Sequence, residues 1–209
     1  MKDISGVILA GGKNKRMGYP KAFLTVGGKR IIDRILEVFM LFFDEILIVT
    51  DDRSKFAEFK NIKVVEDLIK GIGPLGGIYT GLKSISKGRG FFIACDMPFP
   101  HIGLIKKLMN VSENTDFECV VPYSEKGIEP LYGIYAKSIL VKLEDSLPRM
   151  ISSKSKHRDV LRRILRRQTK EFSVNKFLEC CNCKYIKPEP EELSSFYNVN
   201  TPEDFKNGN

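Results

Sequence analysis

The stretch ISGVILAGGKNKRMGYPK, residues 4–21, decides the fold prediction because a buried strand runs directly into a glycine-rich, basic loop. The apolar run over residues 6–9 predicts the strand. Gly11 and Gly12 let the backbone approach a ligand closely, and the N–H groups of such a loop can point at one anion. The stretch therefore predicts a phosphate-binding site, although its glycine spacing does not match a P-loop. The loop's cationic side chains are Lys13, Lys15, Arg16 and Lys21.

Strands and helices alternate after this loop. Alternation favours an α/β fold with a parallel sheet, and solid apolar runs are typical of strands covered on both faces. We therefore expect one domain over residues 1–209, built as three layers with helices on both faces of a mostly parallel sheet. The predicted strands are residues 45–50, 62–65, 90–95 and 117–122, and the predicted helices are 30–43, 54–59 (capped by Ser54), 75–86 and 102–109, with a turn at 26–29.

The last third of the sequence is less regular. A strand is expected within residues 128–135, a helix over 137–147 and a basic helix over 157–168. A short edge strand over 184–186 and a final helix capped by Thr201 complete the prediction.

Polar residues follow several of the predicted strands. Gly11, Asp52, Asp67 and Asp96 each come after one, so all four are expected at one edge of the sheet, where ligands of open α/β sheets bind. Asp96 is a natural Mg²⁺ ligand there, because Mg²⁺ combines one or two carboxylates with phosphate oxygens. The alternative for Asp96 is a helix cap, and for Asp67 an ordinary turn.

The segment from Gly71 to Gly76 formally matches the dinucleotide fingerprint, with Asp96 following it at the right distance. We reject a dinucleotide site because the match lies in the third strand–helix unit rather than the first. Pro74 also lacks an N–H that could bind a pyrophosphate.

The excess positive charge is confined to one segment. The chain has a formal net charge of +8, and residues 149–170 contain nine Lys or Arg and one Asp, which accounts for all of it. This segment is either a solvated helix face or a landing patch for a polyanion. No apolar run is long enough to span a membrane and no secretory signal is visible, so the cytoplasm is expected, without a membrane or nucleic-acid partner.

Five cysteines occur without the spacing of a disulfide framework. Cys180, Cys181 and Cys183 suggest half of a zinc site. No recognisable second half is present, so incidental cysteines are predicted.

The first loop, LAGGKNKRMGYPK, resembles the pattern L-A-G-G-x-S-x-R-M-G-x-x-K of the molybdenum cofactor guanylyltransferases, with Asn14 where Ser is usual. Further stretches resemble the family in the same order: Asp67 ahead of GPLGGI, then CDMPF, EPLYGIY and NVNTPEDF. The resemblance implies a Rossmann-like nucleotidyltransferase fold. It also implies transfer of GMP from GTP to the terminal phosphate of molybdopterin or its molybdenum-bound form, with Mg²⁺ as cofactor.

The resemblance also implies residue roles. Lys21 and Arg16 would neutralise the triphosphate and the transition state, and Asp96 would hold the metal. Asn198 and Asn200 would contact the acceptor, or form an Asx turn before a helix. A molybdoenzyme or a cofactor-biosynthesis protein is the implied partner. The nucleotide contacts carried over are Leu9, Ala10, Gly11, Gly12, Lys21, Asp52, Asp67 and Asp96, with Asp52 standing where the family often has Asn.

Two other functions stay open. A related enzyme could use CTP, making a cytosine dinucleotide cofactor or acting on a sugar or polyol phosphate. Cytidylyl-transferring relatives more often show LAAG, and sugar-phosphate enzymes L-A-G-G-x-G-T-R, so the LAGG at residues 9–12 speaks modestly against it. A non-enzymatic protein could instead bind nucleotides or nucleic acid through the basic helix, and its binding would depend steeply on salt.

Overall fold

A mixed β-sheet forms the centre of the protein in a computed structural model, which describes residues 3–11, 20–70, 72–113, 115–146 and 173–199. The strands are β1 (Ile4–Leu9), β2 (Thr25–Val26), β3 (Lys29–Arg30), β4 (Ile46–Thr50), β5 (Lys63–Glu66), β6 (Arg89–Ala94), β7 (Cys119–Ser124), β8 (Gly127–Ile128), β9 (Tyr132–Ala136) and β10 (Cys183–Ile186). The main sheet has the order β10-β7-β9-β6-β1-β4-β5, with β8 paired to β7.

Most neighbouring strands of this sheet run parallel. β1 pairs in parallel with β4 and β6, β4 with β5, and β7 with β10. β9 is antiparallel to both of its neighbours, β6 and β7. The mostly parallel sheet predicted from the sequence is therefore confirmed, with one inserted strand of opposite direction.

Helices cover both faces of the sheet. The helices are α1 (Ile31–Phe39), α2 (Pro74–Ser84), α3 (Ile102–Ser112), α4 (Leu140–Ser146) and α5 (Val174–Leu178). Two separate hydrophobic clusters result, one under α1 and α3 and one under α2, α4 and α5. Along β1, Ile8 belongs to the first cluster, whereas Val7 and Leu9 belong to the second, as the twofold alternation of a strand requires. These are the three predicted layers.

Close contact between α1 and β1 depends on Gly6. A Cβ atom there would lie 2.6 Å from a ring carbon of Phe39 and of Phe43. The helix can therefore approach the strand only because the side chain is absent. Burial of the aromatic rings that meet there is the dominant stabilising term, at about 1.5–3 kcal/mol for each fully buried large side chain.

The turn predicted at residues 26–29 joins β2 and β3. Gly27 and Gly28 both have positive φ angles, of 54° and 76°. Two positive φ angles are what a two-residue hairpin of type I′ requires, and glycine adopts them without steric cost.

Several predicted boundaries were wrong. Helix α1 ends at Phe39 rather than residue 43, and the helix predicted over 54–59 is a 3₁₀ turn, Arg53–Phe56. Asp52, not Ser54, caps that turn, because its carboxylate accepts the Ser54 N–H at 3.0 Å. The 3₁₀ segments Lys21–Phe23 and Pro190–Phe196 were not predicted. The basic helix over 157–168 and the helix starting at Thr201 lie outside the described residues.

In the part of the chain that the structure covers, no helix combines the length and the apolar character that crossing a membrane demands.

Candidate active site

The carboxyl ends of four neighbouring strands, β5, β4, β1 and β6, meet at one edge of the sheet. Short backbone hydrogen bonds continue the pairing just beyond these ends, from Asp67 N to Thr50 O at 2.7 Å and from Cys95 N to Leu9 O at 3.0 Å. Ala10, Asp52, Asp67 and Asp96 follow the four strands, so the structure places them along this edge.

The first loop leaves β1 across the end of β4. Leu9 and Ala10 are buried, whereas Gly11 is exposed. A Cβ atom on Gly11 would make only ordinary contacts, the nearest at 3.7 Å to the backbone nitrogen of Asp51. Internal packing therefore does not explain why glycine stands here, and close approach of a ligand would. Gly12 and Arg16 lie outside the described residues, so their roles stay predictions.

Lys21 and Asp96 form an ion pair at this edge. Lys21 Nζ donates to Asp96 Oδ2 at 3.0 Å, and the two side chains are 25% and 23% exposed. Lys21 starts a 3₁₀ turn that is anchored by the buried side chains of Ala22 and Phe23. The structure thus brings together the lysine that ends the first loop and the carboxylate that follows β6, 75 residues later in the chain.

The described residues contain no group of three or more His, Cys, Asp or Glu side chains arranged to hold a metal ion. Asp96 offers a single partly exposed carboxylate. Mg²⁺ accepts such a site, because substrate phosphates and waters complete its coordination. The donor set therefore fits a metal ion that arrives with nucleotide phosphates, rather than one held in a cage built by the protein.

The Asp67 carboxylate is fixed by a threonine of α2. Thr80 Oγ1 donates to Asp67 Oδ1 at 2.7 Å and accepts the Leu68 N–H at 3.0 Å. Burial raises the pKa of Asp67 above its ordinary value, although the bond from Thr80 acts in the opposite direction. A Cβ atom on Gly76 would lie 3.0 Å from Ile69 O, so the loop after β5 packs directly on the first turn of α2. The nucleotide contact of Asp67 stays a prediction.

The Asp52 carboxylate is occupied by local contacts. It accepts the Ser54 N–H at 3.0 Å and the Ser54 hydroxyl at 2.6 Å, and these bonds lower the pKa of Asp52. Lys55 Nζ lies 3.7 Å away. Its nucleotide contact stays a prediction, and the structure gives it a capping role.

The C-terminal segment returns to this edge. Val199 is fully buried, and its N–H donates to the carbonyl oxygen of Asp96 at 2.9 Å. Tyr197 packs near Phe99, with ring centroids 6.3 Å apart. Asn198 therefore lies next to the residues around Asp96, and its Nδ2 donates to Phe196 O at 3.3 Å. Asn200 lies outside the described residues, and acceptor contact by either asparagine stays a prediction.

Two polar residues at this edge were not predicted from the sequence. Thr80 gave no signal, because it lies inside a helix, 13 residues after Asp67. Glu129 lies just before β9, beside the end of β6, where the Ala94 N–H donates to Leu131 O at 3.0 Å. Burial raises the pKa of Glu129. Glu129 lies in the stretch EPLYGIY, which resembles the family but was given no residue role in the sequence analysis.

Comparison with known proteins identifies the family of the chain. The family model for MobA-like NTP transferase domains matches residues 6–171. The chain belongs to the MobA-like NTP transferase family.

Individual members of the MobA-like family resemble the chain over nearly its whole length. It is 35% identical to a probable molybdenum cofactor guanylyltransferase of Natranaerobius thermophilus, covering 98% of this chain and 94% of that protein. It is 32% identical to a probable molybdenum cofactor guanylyltransferase of Peptoclostridium acidaminophilum, covering 97% and 86%. The crystal structure of molybdopterin-guanine dinucleotide biosynthesis protein A from Archaeoglobus fulgidus superimposes with a TM-score of 0.75 at 26% identity, covering 98% and 96%. The predicted Rossmann-like nucleotidyltransferase fold is thereby confirmed.

Proposed function

We propose that this nucleotidyltransferase moves GMP from GTP to the terminal phosphate of molybdopterin or of its molybdenum-bound form, releasing pyrophosphate. The observation that carries the proposal is the Lys21–Asp96 pair at the edge where the first loop leaves β1. It unites a cation for phosphates with a carboxylate for their metal ion in a fold whose ligands bind at strand ends. The printed names of the relatives support guanine and the molybdenum cofactor as the substrates.

The reaction needs no protein nucleophile. An oxygen of the acceptor phosphate attacks the α-phosphorus of GTP, that P–O bond forms, and the bond to the leaving pyrophosphate breaks. Lys21 donates hydrogen bonds to the triphosphate and offsets the charge that develops on it, and Arg16 assists in the proposal. The open backbone at Gly11 lets the loop N–H groups approach the same phosphates. Mg²⁺ bound to Asp96 would supply further charge neutralisation and hold the triphosphate in line.

Placement of the acceptor completes the proposal. Asn198 reaches this edge because Val199 is buried and bonds to Asp96 O. An asparagine side chain both donates and accepts hydrogen bonds, so it can hold a phosphate or a pterin ring. In the proposal, such a contact orients the attacking oxygen toward the nucleotide, and orientation of that kind is a large part of catalysis in two-substrate reactions.

The experiment measures pyrophosphate release with Mg²⁺, molybdopterin and either GTP or CTP, and identifies the product by mass. We expect the guanine dinucleotide with GTP and turnover at least about 100-fold slower with CTP. Asp96→Asn and Lys21→Ala should each lower kcat by about 100-fold or more. The matched control is Lys63→Ala, since Lys63 begins β5 at the opposite edge, where its Nζ bonds to Ser84 O.

Full activity in Asp96→Asn would remove that carboxylate from the reaction. A preference for CTP would keep the fold and the chemistry but replace the proposed substrate. Absence of pyrophosphate release with every acceptor would favour the non-enzymatic alternative. The basic segment lies outside the described residues. Its role and the binding of a partner protein stay predictions.

A further inference from the structure

Three of the five cysteines come together around β7 and β10, the last two strands at one side of the sheet. Cys183 opens the edge strand β10, and its register partner on the parallel strand β7 is Cys119. Cys181 lies two residues earlier, and the thiols of both Cys181 and Cys183 interact with the thiol of Cys119. All of these cysteines are free, Cys119 is fully buried, and Cys181 and Cys183 are partly exposed. The sequence prediction that they are incidental missed this cluster, because Cys119 is far from the others in the chain.

The register of β7 and β10 places Cys119 and Cys183 directly beside each other, which brings a disulfide within reach. Neighbouring strands lie about 4.8 Å apart, within the range of about 4.4–6.8 Å that a disulfide spans between Cα atoms. Residues in register on adjacent strands also point to the same face of the sheet. The Glu118 N–H donates to Asn182 O at 2.8 Å, and the Asn182 N–H to the Glu118 carboxylate at 2.7 Å. These bonds hold β7 and β10 together right beside the two cysteines.

The thiols of the cluster differ in reactivity. A hydrogen bond with Cys119 lowers the pKa of Cys183, whereas interaction with its two neighbours and burial raise the pKa of Cys119. Cys183 is therefore the better nucleophile, and it is also the more accessible of the two. The Cys183 thiol also donates to Leu178 O at 3.3 Å, and Tyr185, Glu118 and Lys142 act on its pKa as well.

We propose that Cys119 and Cys183 are a modification site, at which a peroxide oxidises the two thiols to a reversible disulfide. In the first step the Cys183 sulfur attacks the peroxide, an O–O bond breaks, water leaves, and Cys183 carries a sulfenic acid. In the second step the Cys119 sulfur attacks the Cys183 sulfur, the S–O bond breaks, and the Cys119 proton leaves with that oxygen as a second water. Two thiols lose two electrons, and one hydrogen peroxide gains them.

This disulfide would clamp the segment that leads to the active site. From β10 the chain runs through Pro190–Phe196 to Val199, which is bonded to Asp96 O. The cross-link closes a loop of about 65 residues, so the unfolded chain loses much of its freedom. We expect oxidation to raise Tm by roughly 10 °C, on the usual scaling for a chain of this size. The kcat should stay unchanged, because the strands already have the required spacing.

The test treats the full-length protein with hydrogen peroxide, blocks the remaining thiols by alkylation under denaturing conditions, and maps the peptides by mass spectrometry. We expect two thiols to be lost, a linked peptide pair containing Cys119 and Cys183, and full recovery with dithiothreitol. Cys183→Ala, at a partly exposed position, should abolish the link and the Tm shift. Cys180→Ala is the matched control, because Cys180 is exposed and adjacent to the cluster yet should keep both.

Three results would overturn the proposal. The first is a disulfide that joins Cys183 to Cys181, with Cys119 left as a free thiol that the alkylating reagent then labels. The second is a link between two chains. The third is overoxidation of Cys183 to a sulfinic acid with no loss of the Cys119 thiol.

Discussion

Replacing Thr80 with valine tests how the Asp67 carboxylate is held at the end of β5. The change keeps the shape of a fully buried side chain but removes the hydroxyl that donates to Asp67 at 2.7 Å and accepts the Leu68 N–H at 3.0 Å. A hydrogen bond to a charged group contributes about 1.5–3 kcal/mol, and a neutral one about 1 kcal/mol. Since Asp67 is only partly buried, we expect a loss of about 2–3 kcal/mol in the free energy of unfolding at pH 7.

The cost of Thr80→Val should depend on pH. Burial raises the pKa of Asp67 in the folded state, so the folded protein binds this proton more tightly than the unfolded chain does. The stabilisation by protonated Asp67 is therefore present below the ordinary pKa and is lost as pH rises through the folded pKa. Removing the hydroxyl that favours the ionised form raises the folded pKa further, which enlarges the loss at neutral pH. We therefore expect the variant to be destabilised more at pH 7 than at about pH 4, where a larger fraction of the carboxyl is protonated.

Urea unfolding of the wild type and the variant at both pH values measures this difference. Asp67→Asn provides the control, because in that background Thr80→Val should cost the same at both pH values. An equal cost at pH 7 and pH 4 in the wild-type background would refute the claim that the hydroxyl stabilises an ionised Asp67. A cost below about 0.5 kcal/mol would refute the importance of the hydrogen bonds themselves.

Three further changes probe neighbouring features of the fold and the site. Gly11→Ala should change stability by less than about 0.5 kcal/mol but reduce the Tm gain from GTP and Mg²⁺. Gly6→Ala should cost about 1–3 kcal/mol, because the added methyl group clashes with the rings of Phe39 and Phe43. Thermal unfolding with and without nucleotide checks both predictions. Val199→Ala should lower stability by about 2 kcal/mol and raise the KM of the acceptor more than that of GTP, which steady-state kinetics would resolve. Alkylation of Cys183 should have its midpoint below the ordinary thiol pKa and shift upward in Cys119→Ala, as pH-dependent labelling would show.

The edge that holds the candidate site was predictable because two simple rules combine there. Solid apolar runs indicated strands that are buried on both faces, and parallel strands place their carboxyl ends together. Asp67 and Asp96 could thus be placed along one edge before any coordinates were known. The alternation of the sequence also predicted the three layers, since each helix had to cover one face of the sheet.

Contacts between distant positions could not be predicted in the same way. The direction of β9 depends on pairing with β6 and β7, and its sequence, YGIYA, is compatible with either direction. Asp52 and Ser54 are both good capping residues, so local propensity alone could not decide between them. The meeting of Cys119 and Cys183 depends on the register of two strands that are far apart in the sequence, and that register is set by tertiary packing.

The Lys21–Asp96 ion pair explains how the end of the first loop can be positioned before a ligand arrives. Both side chains are about one quarter exposed, so solvent reaches both charges. When the pair opens, neither charge is therefore left fully buried without a partner. A triphosphate offers negative charge to Lys21, and the metal ion that accompanies it offers positive charge to Asp96. One ion pair within the protein is thereby replaced by two ion pairs with the ligand. The pair thus holds both groups 3.0 Å apart in the free protein while leaving each of them available to the nucleotide.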